Sequence, residues 1–104
     1  MFGEGRRFYG PGVIVVARVN ALPHMRLGLS VGRRIGNAVV RNRVKKHLRE
    51  CFRSANARPL GGLDLVAIPR SADALGDIDA LRNELDRIMR KAHHKLIGST
   101  EPAR

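Results

Sequence analysis

The chain has 104 residues, 43% of them hydrophobic and 28% charged, which are the proportions of one folded domain and exclude a disordered tail or a fibre. Its formal charge of +11 lies entirely in the first 60 positions, where 13 Lys and Arg face 2 acidic residues, while residues 61–104 hold 7 of each sign. One cysteine permits no internal disulfide and no thiolate cluster, and no apolar run nears the ~18 residues a membrane helix needs, so a cytoplasmic protein with a polyanionic partner, nucleic acid foremost, is expected.

A short strand is possible at residues 6–9. Val13 to Val19, rich in β-branched residues after the Gly10-Pro11-Gly12 turn, reads as a largely buried strand. Residues 20–25, with Pro23 among them, close it. Leu27, Leu29 and Val31 then alternate with Gly28 and Ser30, the period of a half-buried strand, and a hairpin with the preceding strand is the simplest pairing. Gly32 to Gly36 breaks the alternation, and Asn37 is a good N-cap for a helix running to about Ala55. After Gly61 and Gly62, Leu63 to Ile68 forms another apolar strand, stopped by Pro69. Ile78, Leu81, Leu85, Ile88, Met89, Ala92 and Leu96 mark a second amphipathic helix. Its mixed-sign polar face marks it as cover for the sheet. The order β-β-α-β-α places the chain in the α+β class, with one domain over residues 1–97 and a frayed tail over 98–104.

The first helix carries the functional signal. At about 100° per residue, Val40, Val44, Leu48, Cys51, Phe52 and Ala55 share one arc that can pack on the sheet. Arg41, Lys45, Arg49 and Arg53 recur beside it at every fourth position, with Asn42 and Lys46 completing the stripe. Arg43 points elsewhere, toward the side where Glu50 can pair with Lys46. A charged helical face is usually just solvated. Here the stripe lacks acidic members, so its cations repel one another until phosphates neutralise them, with release of counterions. Arg33 and Arg34 precede the cap, and free N–H groups after Asn37 favour an anion there.

Phe2, Phe8 and Tyr9 stand close to Arg6 and Arg7, a composition that suits either core packing or stacking on unpaired bases. The four histidines, His24, His47, His93 and His94, show no metal-binding spacing and read as surface polar residues. No catalytic triad, carboxylate pair or Cys/His pair can be assembled, so no catalytic or metal-binding residue is assigned. The polypeptide reads as a binder.

The run LSVGRRIGNAVVRNRVKKHLRECFR closely resembles the protein subunit of bacterial ribonuclease P, through Gly36-Asn37-Ala38-Val39, Arg41-Asn42-Arg43-Val44-Lys45-Lys46, Leu48-Arg49-Glu50 and Phe52-Arg53. The likeness covers about residues 2–97. It implies a ribosomal S5 domain 2-like two-layer α/β sandwich with a left-handed β-α-β crossover. It also implies a subunit that assists an endoribonuclease in 5′ maturation of tRNA, binding the catalytic RNA and the 5′ leader of precursor tRNA. In that family the RNA carries the chemistry with Mg²⁺, and the protein alone binds no cofactor; neither a membrane nor a protein partner is implied. By position, Arg33, Arg34, Asn37, Arg41, Asn42, Arg43, Lys45, Lys46 and Arg49 inherit the RNA-binding assignment, and the stripe adds Arg53. Phe2, Phe8, Val16 and Arg18 are the leader-cleft candidates. The sequence departs from the family at its start, where a longer basic stretch and an aromatic-bearing helix are usual and this chain opens with Phe2-Gly3-Glu4-Gly5.

Two other readings are a structural RNA-binding protein of the ribosomal type and a DNA-binding helix-turn-helix. The latter needs a helix just before its recognition helix, and here a strand is expected.

Overall fold

A computed structural model describes residues 5–72 and 76–98. Four strands, β1 (Arg6–Tyr9), β2 (Val13–Val19), β3 (Arg26–Leu29) and β4 (Leu63–Pro69), form one sheet, and two helices, α1 (Ala38–Ser54) and α2 (Ile78–Leu96), complete the fold. The expected tail lies outside the described residues except for Gly98.

The spatial order is β1-β2-β4-β3, with β3 parallel to β4 and the other pairs antiparallel. The expected hairpin between β2 and β3 is therefore corrected: β4 lies between them. The link after β2 is held to β4 and its approach. Asn20 N–H donates to Gly62 O at 3.0 Å, and Asn20 Nδ2 donates to Asp64 Oδ1 at 2.9 Å. Asn20 Oδ1 in turn accepts from Leu22 N–H at 2.8 Å, and Ala21 adopts a left-handed φ of 59°. This turn carries the chain past β4, so that β3-α1-β4 becomes a parallel β-α-β crossover.

Strand alternation decides which residues enter the core. Phe8, Val13, Val15, Ala17, Leu63, Leu65 and Ala67 are buried in one cluster with Val44, Leu48 and Cys51 of α1 and Leu81, Leu85, Ile88, Met89 and Ala92 of α2. Full burial of a large side chain such as Leu48 or Leu85 contributes roughly 1.5–3 kcal/mol. The α1 arc matches the expected one, and Cys51 packs as a small hydrophobe whose thiol pKa burial pushes up to about 11.

Both helices start on side-chain caps. Asn37 Oδ1 accepts from Val40 N–H at 3.0 Å, and Asp77 Oδ1 accepts from Ala80 N–H at 3.0 Å. Gly36 precedes the first cap at φ 155°, and a Cβ there would lie 2.9 Å from the Val40 Cβ. Only glycine fits both the backbone and the space. Glu84 of α2 is buried, and its Oε2 accepts from Gly12 and Val13 N–H at 2.8 and 2.9 Å, fastening the β1–β2 turn to the helix. His93 corrects its surface reading: it is 9% exposed, and it follows the buried Leu85 and Met89 at four-residue steps on the inward side of α2.

Candidate nucleic-acid interface

Helix α1 divides its perimeter as its sequence predicts. Val44, Leu48 and Cys51 face the core, while Asn42, Arg43, Lys46, Arg49 and Arg53 are exposed and Arg41 and Lys45 are half-buried. Half-burial of a long cationic side chain is compatible with a charged tip that still reaches solvent. Among the described residues none of Arg43, Lys45, Lys46, Arg49 and Arg53 forms an ion pair. The expected Lys46–Glu50 pair is not formed. Arg41 Nε is shielded from water and has no hydrogen-bond partner among the described residues, a desolvated donor at the base of the flank.

The approach to α1 is a single 3-10 turn, Arg33–Ile35, with Arg33 and Arg34 exposed and Ile35 buried as its anchor. Arg34 Nη1 donates to Arg70 O at 3.2 Å. Asn37 is spent largely on the cap: its Oδ1 is occupied by Val40 N–H, which leaves its amide NH₂ as the group able to meet a phosphate.

The sheet face turned away from the core cluster is a second surface. Its cross-strand rows are Tyr9, Ile14 and Ile68; then Arg7, Val16, Val66 and Gly28; then Arg18, Asp64 and Arg26. An apolar middle is thus bordered by cations. Arg18 Nη2 lies 3.6 Å from Asp64 Oδ2, and Arg26 Nε donates to Asp64 Oδ1 at 2.7 Å. The Arg26 hydrogen bond holds the Asp64 carboxyl well below the usual carboxylate range, and Asp64 in turn raises the Arg26 guanidinium. At the other end the Arg70 guanidinium lies 5.8 Å from the centroid of the Tyr9 ring, and Arg70 Nε donates to Gly10 O at 2.7 Å.

Of the leader-cleft candidates, Val16 and Arg18 share this outward side by strand parity, but only Arg18 is accessible, since Val16 is 5% exposed, and Phe2 lies outside the described residues. Phe8 is corrected. It pairs with Val15 on the core side and is 6% exposed, so strand parity takes it away from the outer face and presents Arg7 and Tyr9, the latter 64% exposed. Sequence reasoning named Arg7 and Tyr9 as possible base-stacking neighbours but passed over Arg26 and Arg70, and did not join the four into one surface. Arg26 lies in β3 and Arg70 just after β4, and their positions convey nothing about a shared surface until the strand order is known.

Among the described residues no group of three or more His, Cys, Asp or Glu gathers as a metal site. No helix of the described residues is long and apolar enough to cross a membrane.

Comparison with known proteins is consistent along the chain. A model of the Ribonuclease P family matches residues 1–93. A ribonuclease P protein component from Gluconacetobacter diazotrophicus is 41% identical over 92 residues, covering 86% of this chain and 78% of that protein. One from Oleidesulfovibrio alaskensis is 45% identical over 71 residues, covering 66% of this chain and 57% of that protein. The solved RNase P protein of Thermotoga maritima superposes with a TM-score of 0.75 at 33% identity, covering 86% of each chain. With its α+β sheet, its parallel β3-α1-β4 crossover and its cationic α1, the chain belongs to the ribonuclease P protein family.

Proposed function

We propose that this chain is the protein subunit of a ribonuclease P ribonucleoprotein, in which it binds the catalytic RNA along α1 and assists 5′ maturation of precursor tRNA in the cytoplasm. The observation that carries the reading is the α1 flank: a run of Arg and Lys without ion-pair partners among the described residues, on a helix whose adjacent arc is packed in the core. Such a flank is stable against a phosphate backbone and self-repelling without one. Arg41, Arg43, Lys45, Lys46, Arg49 and Arg53 supply phosphate contacts, with Asn42 beside them and Arg33, Arg34 and the Asn37 amide at the helix entry. Arg offers bidentate geometry where Lys offers a point charge.

The 5′ leader is assigned to the outward sheet face, where the half-buried Ile14, Val66 and Ile68 give an apolar floor around the buried Val16 and Arg18 gives a cationic border. Arg7, Tyr9 and Arg70 extend it toward the α1 entry. A single strand suits this surface because unpaired bases can rest on Tyr9 and the apolar middle while the flanking guanidiniums meet phosphates. Hydrolysis belongs to the RNA, with Mg²⁺ supplying charge neutralisation there. The protein's own residues bind and orient.

The test is cleavage of precursor tRNA by a cognate ribonuclease P RNA at low Mg²⁺, with and without this protein. Addition is expected to restore maturation, and more so for a long leader than for a one-nucleotide leader. No stimulation over RNA alone would favour a structural RNA-binding protein of the ribosomal type.

A further inference from the structure

Beyond the last turn of α1, two neighbouring cavities of about 430 and 290 Å³ share Arg53 and Arg58 in their walls. The larger also reaches His24 and Met25 of the β2–β3 link, and the smaller reaches Arg49, Phe52 and Leu27. Among the described residues neither wall contains a carboxylate. Three guanidiniums and an imidazole therefore surround an apolar floor, the combination that small-molecule sites use to hold a flat apolar body with an anionic group attached.

The walls are preorganised. The Arg58 guanidinium lies 5.7 Å from the centroid of the Phe52 ring, and its Nη1 donates to Arg53 O at 3.1 Å, which ties it to the end of α1. The 3-10 turn Arg58–Leu60 is pressed against the β2–β3 link through Gly61, at φ 67°, where a Cβ would lie 2.7 Å from the Pro23 carbonyl carbon. The gap between link and turn is fixed by backbone packing.

We propose that this cleft takes one unpaired nucleotide of a bound RNA, its base against Phe52 and the Arg58 guanidinium and a flanking phosphate at Arg53. The proposal rests on the reading of α1 as an RNA-contacting helix and extends it. Along the stripe the contacts are to phosphates alone, whereas at its end the protein selects a base that has left its helix. Arg–aromatic surfaces stack any base with little preference for its identity, and only an unpaired base has a free face to offer them.

The experiment measures binding of the full chain, at one salt concentration, to an RNA hairpin with a fully paired stem and to the same hairpin with one unpaired uridine in the stem. Wild type is expected to bind the bulged hairpin about fivefold or more tightly, the worth of one stacked base. Phe52→Leu and Arg58→Lys, which keep an apolar group and a charge, are expected to bring the two affinities within about twofold of each other. Should Phe52→Leu melt early, Arg58→Lys decides. Equal affinities for wild type, or a preference that survives Arg58→Lys, overturn the cleft. Failure of wild type to bind either hairpin overturns the reading of α1 as well.

Discussion

Arg34 Nη1 donates a hydrogen bond to the carbonyl of Arg70, joining the entrance of α1 to the end of β4. The Arg70 guanidinium is the one that lies over Tyr9 on the outward sheet face. The entrance of the cationic helix and the outward sheet face proposed for the leader are therefore joined through one residue, Arg70.

Glu84 is the clearest structural prediction. Its carboxylate is the acceptor for two N–H groups of the β1–β2 turn, so Glu84→Ala leaves both donors without it and removes a charge-assisted contact. A loss of about 2–3 kcal/mol is expected, read as a lower urea midpoint with an unchanged slope. A midpoint within error of wild type would assign the turn's stability elsewhere.

Ala21 occupies a left-handed backbone well, φ 59°. Glycine relieves that strain at the cost of a freer unfolded chain, and Ala21→Gly is expected to raise stability by about 0.5–1 kcal/mol. Thermal unfolding checks it, and a lowered midpoint would contradict the strain.

The Asp64 cluster makes stability depend on pH. The hydrogen bond from Arg26 depresses the Asp64 carboxyl below its unfolded value, so its contribution is fully present above an unfolded pKa of about 3.9 and is lost as pH falls toward the folded value. The stability difference between wild type and Asp64→Asn is expected to be constant from neutral to mildly acidic solution and to shrink below about pH 4. A difference that grows in acid would contradict the assignment.

The sequence displays α1 almost completely because both of its signals are local. Val44, Leu48 and Cys51 fall on one arc and Arg41, Lys45, Arg49 and Arg53 on the next, and only a helix separates them. The sheet is less legible. Alternation in Leu27 and Leu29 reveals a strand with one buried face, but not that β4, more than thirty positions later, is its neighbour. The same limit misplaced Phe8: a four-residue strand gives too few alternations to tell its inward side from Tyr9. Arg58 escaped notice because it follows the end of α1, and only the 3-10 turn folds it back over Phe52.

The central claim is that the cations of α1 meet RNA phosphates, and its most direct test is the salt dependence of binding to ribonuclease P RNA. Wild type is expected to lose affinity steeply as salt rises, and replacing Arg41 and Arg49 together with alanine is expected to weaken binding several-fold or more and to flatten the log–log slope by about one to two units, with the fold intact by circular dichroism. A slope unchanged by the double substitution would return the stripe to solvent and contradict the account.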